Sequence, residues 1–183
     1  MTMPDVPQPN LSRITPFTGH PAVVAMTPSR HKLVTLTAIS WAKATGSPLY
    51  FAYVDITRIV TRELPDGNVH HEEAVIDVAP DDTWKDRQAD CEAFLHEMVD
   101  PSGVQWQFRY LAGRPDRALT HLARAVDAST IIVGTRTRAA GQRKKLRDFL
   151  NRSLALQLAH HQHRPVLAVP LSVVDWGTEL TAE

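Results

Sequence analysis

Two apolar runs, TIIVGT (130–135) and RPVLAVP (164–170), separated by a loop crowded with arginine and lysine and then by a helical segment, decide the fold of this chain. A strand that runs into a glycine, then an anion-friendly loop, then a helix, is how α/β folds build phosphate sites, because helix N-termini present unpaired N–H groups. Gly134 closes the first run, but Thr137 stands where a second loop glycine is expected. The segment from Arg136 to Arg152 holds Arg136, Arg138, Arg143, Lys144, Lys145, Arg147 and Arg152 against a single acid, Asp148. Three readings of that loop stand side by side: guanidinium groups gripping a nucleotide or other small phosphorylated molecule, a patch for a macromolecular anion, or a solvated basic loop with no ligand.

Working outward, AVVAMT from Ala22 to Thr27 is short, apolar and bounded by prolines, as suits a strand covered on both faces. Val34, Ala38, Trp41 and Thr45 then recur at helical spacing, and Gly46 closes the helix. PLYFAYVD, ending at Asp55, reads as a second buried strand. Residues 55–80 weaken the pattern, and Pro65-Asp66-Gly67-Asn68 signals the turn of a β-hairpin excursion. Trp84, Gln88, Cys91, Leu95 and Met98 mark a helix that Asp81 or Asp82 caps. In VQWQFRYLAG, Val104, Trp106, Phe108 and Tyr110 share one face and Gln105, Gln107 and Arg109 the other, the mark of an outer strand. A helix carrying Leu119, Leu122, Ala123 and Val126 leads back to the opening stretch. Strand and helix alternate throughout, which predicts an α/β fold: a Rossmann-like three-layer sandwich with a mostly parallel five-stranded sheet. Its ligand crevice is expected at the carboxyl ends of the first and fourth strands, near Thr27 and Gly134.

The 183 residues suit one domain over 20–175, with the 55–80 excursion and a 135–149 basic loop, flanked by a flexible proline-rich tail (1–19) and a C-terminal tail (176–183). Lysine plus arginine equals aspartate plus glutamate, so no global field draws the chain to nucleic acid or membrane. One cysteine, Cys91, excludes an internal disulfide framework, and its neighbours Asp90 and Glu92 oppose a thiolate. With no membrane-length apolar run and no signal-peptide order at the start, a cytoplasmic protein is expected. His70, His71, Glu72 and Glu73 read as a solvated face rather than a metal site, since adjacent strand residues point to opposite faces. His160, His161 and His163 read as structural groups at a helix C-terminus, and no metal is expected.

Several segments resemble the universal stress protein family, over roughly residues 21–174: AVVAMTPS with the helix ending WAKATGSPLYFAYV, then YLAGRPDRALTHLARAVDASTIIVGTRTR, then SLALQLAHHQHRPVLAVP. The resemblance implies an adenine nucleotide alpha hydrolase-like fold. Nucleotide-binding members carry an aspartate at the end of the first strand and a loop of Gly, two residues, Gly, about nine residues, Gly and then Ser or Thr. In this chain Thr27 stands at the aspartate position, Gly134 matches the first glycine, Thr137 and Arg152 replace the other two, and Ser153 matches the terminal hydroxyl. The implied cofactor-binding set is therefore Thr27, Val54 near the end of the second strand, Gly134, Arg136, Thr137, Arg152 and Ser153. The expectation is a non-catalytic regulatory protein with a degenerate nucleotide site and no resident cofactor. An ATP-binding member that uses basic-loop side chains is the alternative, with an anion-binding module beside it. Family members often dimerise through the last strand, which implies a homodimer through Val166 to Val174. Nucleic acid is not the expected partner.

Overall fold

A computed structural model describes residues 10–73, 83–135 and 154–171 of the chain. Five strands form one sheet: β1 (Ala22–Met26), β2 (Leu49–Asp55), β5 (Trp106–Ala112), β6 (Thr130–Thr135) and β7 (Val166–Pro170), in the order β5-β2-β1-β6-β7. Every pairing in it is parallel, Val24 lying opposite both Phe51 and Ile132. Helices α1 (Lys32–Thr45) and α2 (Thr83–Val99) follow β1 and the hairpin; α3 (Pro115–Ala125) and α4 (Leu154–His161) follow β5 and the basic loop. The chain first builds outward from β1 to β2 and β5, then returns to the other side of β1 with β6 and β7, so the order reverses between β1 and β6.

The period of two along each strand produces three layers. Val24, Phe51 and Ile132 join Val34, Ala38 and Ala42 of α1 and Leu95 and Val99 of α2 in one core. Their sequence neighbours Val23, Ala52, Ile131 and Val133 turn the other way, onto Leu119, Leu122 and Ala123 of α3 and Leu158 of α4. A strand apolar on both faces can only lie inside such a sandwich. The helix closure expected at Gly46 is present, with φ of 64° in the left-handed region. As the alternation of its side chains predicts, β5 lies at the edge of the sheet. The position proposed for the α2 cap, Asp81 or Asp82, lies outside the described residues.

The excursion is a hairpin, β3 (Arg58–Glu63) with β4 (Val69–Glu73), antiparallel with a shift in register between Val60 and Arg62. It lies along the β5 side of the sheet rather than over the crevice. Its turn seats Gly67 against Leu122 of α3, and His121 of α3 approaches Glu63 at 3.2 Å. The solvated face expected for residues 70–73 needs correction on one side. His70 and Glu72 are exposed, but His71 turns inward, accepting a hydrogen bond at Nδ1 from Arg58 Nε (2.7 Å) and meeting the Trp84 ring edge-on at 5.0 Å. The alternation that argued against a metal is the reason one histidine packs and its neighbour does not. In the proline-rich amino-terminal segment, Phe17 lies edge-on to Trp41 at 6.3 Å and its carbonyl accepts from Ser47 Oγ at 2.8 Å, so residues 17–19 are tied to the end of α1.

Candidate functional site

Parallel strands whose order reverses leave a crevice where adjacent connections diverge, here beyond the carboxyl ends of β1 and β6. After Met26 the chain turns through Pro28 and Ser29, with Arg30 N–H bonded to the Thr27 carbonyl (2.9 Å) and Arg30 itself at φ 43°. That turn delivers the N-terminus of α1, whose N-cap His31 makes no side-chain capping bond. Thr27, Arg30, His31, Thr35, Gly134 and Leu171 surround a cavity of about 20 Å³. Among the described residues that volume is about the size of a water molecule.

Two details define the chemistry of this crevice. The Thr27 hydroxyl is buried and has no hydrogen-bond partner among the described residues. An orphaned hydroxyl costs free energy unless something else supplies the bond. Gly134 does not take a positive φ; its role is the missing side chain. A Cβ there would lie 2.7 Å from Leu171 Cδ1 and 3.1 Å from Val34 Cγ2. Leu171, the residue after β7, thus fills the space over the glycine.

Of the residues expected to form the site, Thr27 and Gly134 come together at this crevice. Val54 is half-buried and packs with the α3 and α4 core instead of lining it. Arg136, Thr137, Arg152 and Ser153, with most of the basic loop, lie outside the described residues. Arg30, His31 and Leu171 line the crevice without having been singled out from the sequence. The Pro28-Ser29 break is the signal that could have pointed to the first two.

A second polar centre sits at the carboxyl ends of β2 and β5. Asp55 is 3% exposed and accepts hydrogen bonds from Thr57 N–H (2.9 Å), Thr57 Oγ1 (2.6 Å), Tyr110 Oη (2.6 Å) and Arg87 Nη2 (2.9 Å). Burial alone would raise its pKa, but the bonds from Thr57, Tyr110 and Arg87 hold the carboxyl down at about 2. The Tyr110 phenol is pushed up, by burial first and then by its bond to Asp55. Arg87 also reaches Thr83 Oγ1 at 2.7 Å, so the network ties α2 to the sheet. The acid that closes an otherwise apolar strand was its signal in the sequence. Cys91, nearby in α2, is buried, and burial lifts its thiol to about 11, in keeping with a packed cysteine. Among the described residues no group of three or more His, Cys, Asp or Glu is placed to hold a metal ion, and no helix is long and apolar enough to cross a membrane.

The fold is shared with solved universal stress proteins. One from Archaeoglobus fulgidus, in complex with dAMP, superposes with a TM-score of 0.53 at 18% identity, over 82% of this chain and 97% of that one. A universal stress protein in complex with cAMP gives 0.51 at 20% identity, over 85% and 99%. A family protein from Burkholderia pseudomallei gives 0.51 at 18% identity, over 82% and 95%. No individually curated protein matches the sequence. The model of the universal stress protein family matches residues 20–170, the whole span from the strand before the crevice to the end of β7, and the chain belongs to that family.

Proposed function

We propose that this universal stress protein is a non-catalytic regulatory member whose nucleotide crevice is degenerate and does not bind ATP in the family's usual way. The observation that carries the reading is the cover over Gly134: Leu171 and Val34 occupy the space above it, and the pocket left among the described residues is about 20 Å³. Thr27 adds to it. A threonine hydroxyl in place of a carboxylate forfeits a charge-assisted hydrogen bond of about 1.5 to 3 kcal/mol, roughly one to two decades in affinity. Among the described residues no arrangement of nucleophile, base and orienting acid stands at the crevice, so turnover is not part of the proposal.

One observation favours a second reading, adenine-nucleotide binding with basic-loop side chains on the phosphates. The unpartnered Thr27 hydroxyl is a bond waiting for an acceptor or donor, and structural relatives are solved with dAMP and cAMP. Calorimetric titration with ATP and AMP, with and without magnesium, separates the two. We expect no saturable heat below about 100 micromolar ligand and no phosphate release from ATP. Binding tighter than about 10 micromolar that Arg136→Ala weakens would establish the second reading and overturn the first.

The same proposal includes a homodimer through the last strand. Among the described residues β7 pairs only with β6, its other edge is open, and Leu167 on it is 39% exposed. An open apolar edge invites pairing with a second copy. Residues 172–174 of the expected interface lie outside the described residues. Multi-angle light scattering at micromolar concentration is expected to return twice the 20.4 kDa chain mass; a monomer mass sinks the dimer.

A further inference from the structure

At the opposite end of the sheet, by the amino ends of β6 and β7, an open cleft of about 440 Å³ is lined by Arg13, Thr120, Arg124, Gln162 and Arg164 together with His160, His161 and His163. We propose that this cleft is a second anion site, separate from the nucleotide crevice, for a small molecule carrying linked phosphate groups.

Its lining contains three arginines, three histidines and two uncharged polar residues, and no acid. One carboxylate stands beside the lining: Asp127, 3.8 Å from Arg164 Nη2 and 3.4 Å from His20 Nδ1. Arg13 and Arg124 have no carboxylate partner among the described residues. With Asp127 the one acid paired at its margin among the described residues, the remaining like charges repel, and an anion seated between them reverses the sign. Helix C-termini explain part of the pattern, because Arg124 ends α3 and His160 and His161 end α4, where positive charge is favoured. They do not explain Arg13, which arrives from a separate turn, Leu11–Arg13, near the start of the chain. Nor do they explain the construction around Arg164.

Arg164 is 8% exposed, and its Nε donates to the Ala128 carbonyl at 2.5 Å. Gln162 clamps the same residue, accepting from Arg164 N–H (2.7 Å) and donating to its carbonyl (2.6 Å). Gln162 thus fixes the backbone, while burial, the Nε bond and Asp127 restrain the guanidinium before any ligand arrives, the preorganisation that phosphate recognition rewards. The cleft volume falls in the range of small-molecule sites. The cations form one compact cluster in a chain of zero net charge, which suits a small oligophosphate better than the length of a nucleic acid.

His163 reports the convergence. Burial lowers its pKa, and the charges of Arg164, Arg13 and Arg124 lower it further. The groups facing it are Arg13 from the amino-terminal turn, Arg124 and Thr120 from α3, His160 and His161 from α4, and Arg164, with Asp127 beyond. A bound polyanion offsets the three arginines and favours the imidazolium, so binding takes up protons and strengthens as pH falls.

Calorimetry with inorganic triphosphate at low salt tests the site. Saturable binding is expected, several-fold tighter at pH 6 than at pH 8, and weaker for orthophosphate. Arg13→Gln and Arg124→Gln, both at exposed positions, should each weaken it about tenfold, while the basic-loop variant Lys144→Gln/Lys145→Gln leaves it unchanged. Saturating AMP should not displace it, which keeps this test independent of the crevice. Absence of saturable binding, indifference to the two arginine variants, loss in the loop variant, displacement by AMP, or a short RNA that outcompetes triphosphate would each overturn the assignment.

Discussion

Asp55→Ala is expected to lower stability at pH 7 by about 3 kcal/mol, seen as a fall of roughly 6 to 12 °C in the thermal midpoint. The carboxylate collects four hydrogen bonds from three residues at the carboxyl end of β2. Alanine removes the acceptor of Tyr110 Oη and of Arg87 Nη2, and one of those donors carries a charge, although Arg87 keeps its bond to Thr83 Oγ1. Arg87 is about a third exposed, with 34% of its side-chain surface open, so water recovers part of the loss, and the expected figure sits at the low end for a broken buried pair.

The pH dependence of the same substitution gives an independent check. The folded-state pKa of Asp55, about 2, lies below its unfolded value. A depressed carboxyl contributes stability that is complete above the unfolded pKa, about 4, and is lost as pH falls through the folded one. Wild type and Asp55→Ala should therefore differ most above about pH 4 and converge toward about pH 2. Thermal or urea unfolding across that range measures it. A difference within about 0.5 kcal/mol at neutral pH, or one that grows on acidification, would show that the network does not hold α2 to the sheet.

Much of the architecture was legible because it rests on period and burial. Val23 and Val24 are both apolar because each faces a different helical layer, and two consecutive apolar positions in a short run are by themselves the mark of a parallel strand buried on both sides. Gln107 and Arg109 announced an edge strand for the same reason. The place of the crevice also followed, since Thr27 and Gly134 end strands on either side of the reversal. What escaped were contacts between segments remote in sequence. Leu171 over Gly134 is one of them: a glycine after a strand reads as a phosphate-loop residue, and nothing local says that a leucine beyond the last strand occupies the vacated space. The clusters of Arg87 with Asp55, and of Arg13 with Arg124 and His163, depend likewise on tertiary approach across tens of residues. Val54, expected near the site from its place at the end of the second strand, packs on the α3 face because the two-residue period carries its side chain there.

Gly67→Ala is expected to destabilise the protein by about 3 kcal/mol, against about 1 kcal/mol for Gly103→Ala. Both glycines have positive φ, 82° and 71°, so both substitutions carry the left-handed penalty for a side chain. Only at Gly67 does the new methyl meet anything: Leu122 Cδ1 at 2.5 Å and Ala125 Cβ at 3.3 Å, whereas nothing lies within 4 Å at Gly103. A leucine tip can retreat when it has room, but Leu122 is fully buried among Leu119, Ala123 and Ile131. The alternative is for the hairpin to lift off α3, which would loosen the Leu64 N–H to Asn68 carbonyl bond of the turn and speed its amide exchange. A double-mutant cycle isolates the cause. Leu122→Ala alone should cost about 2 to 5 kcal/mol, but in that background the penalty of Gly67→Ala should fall to the 1 kcal/mol or so of the backbone term. Urea unfolding of the four proteins measures the cycle. Equal costs at Gly67 and Gly103, or strict additivity with Leu122→Ala, would mean that the hairpin turn does not bear on the α3 core.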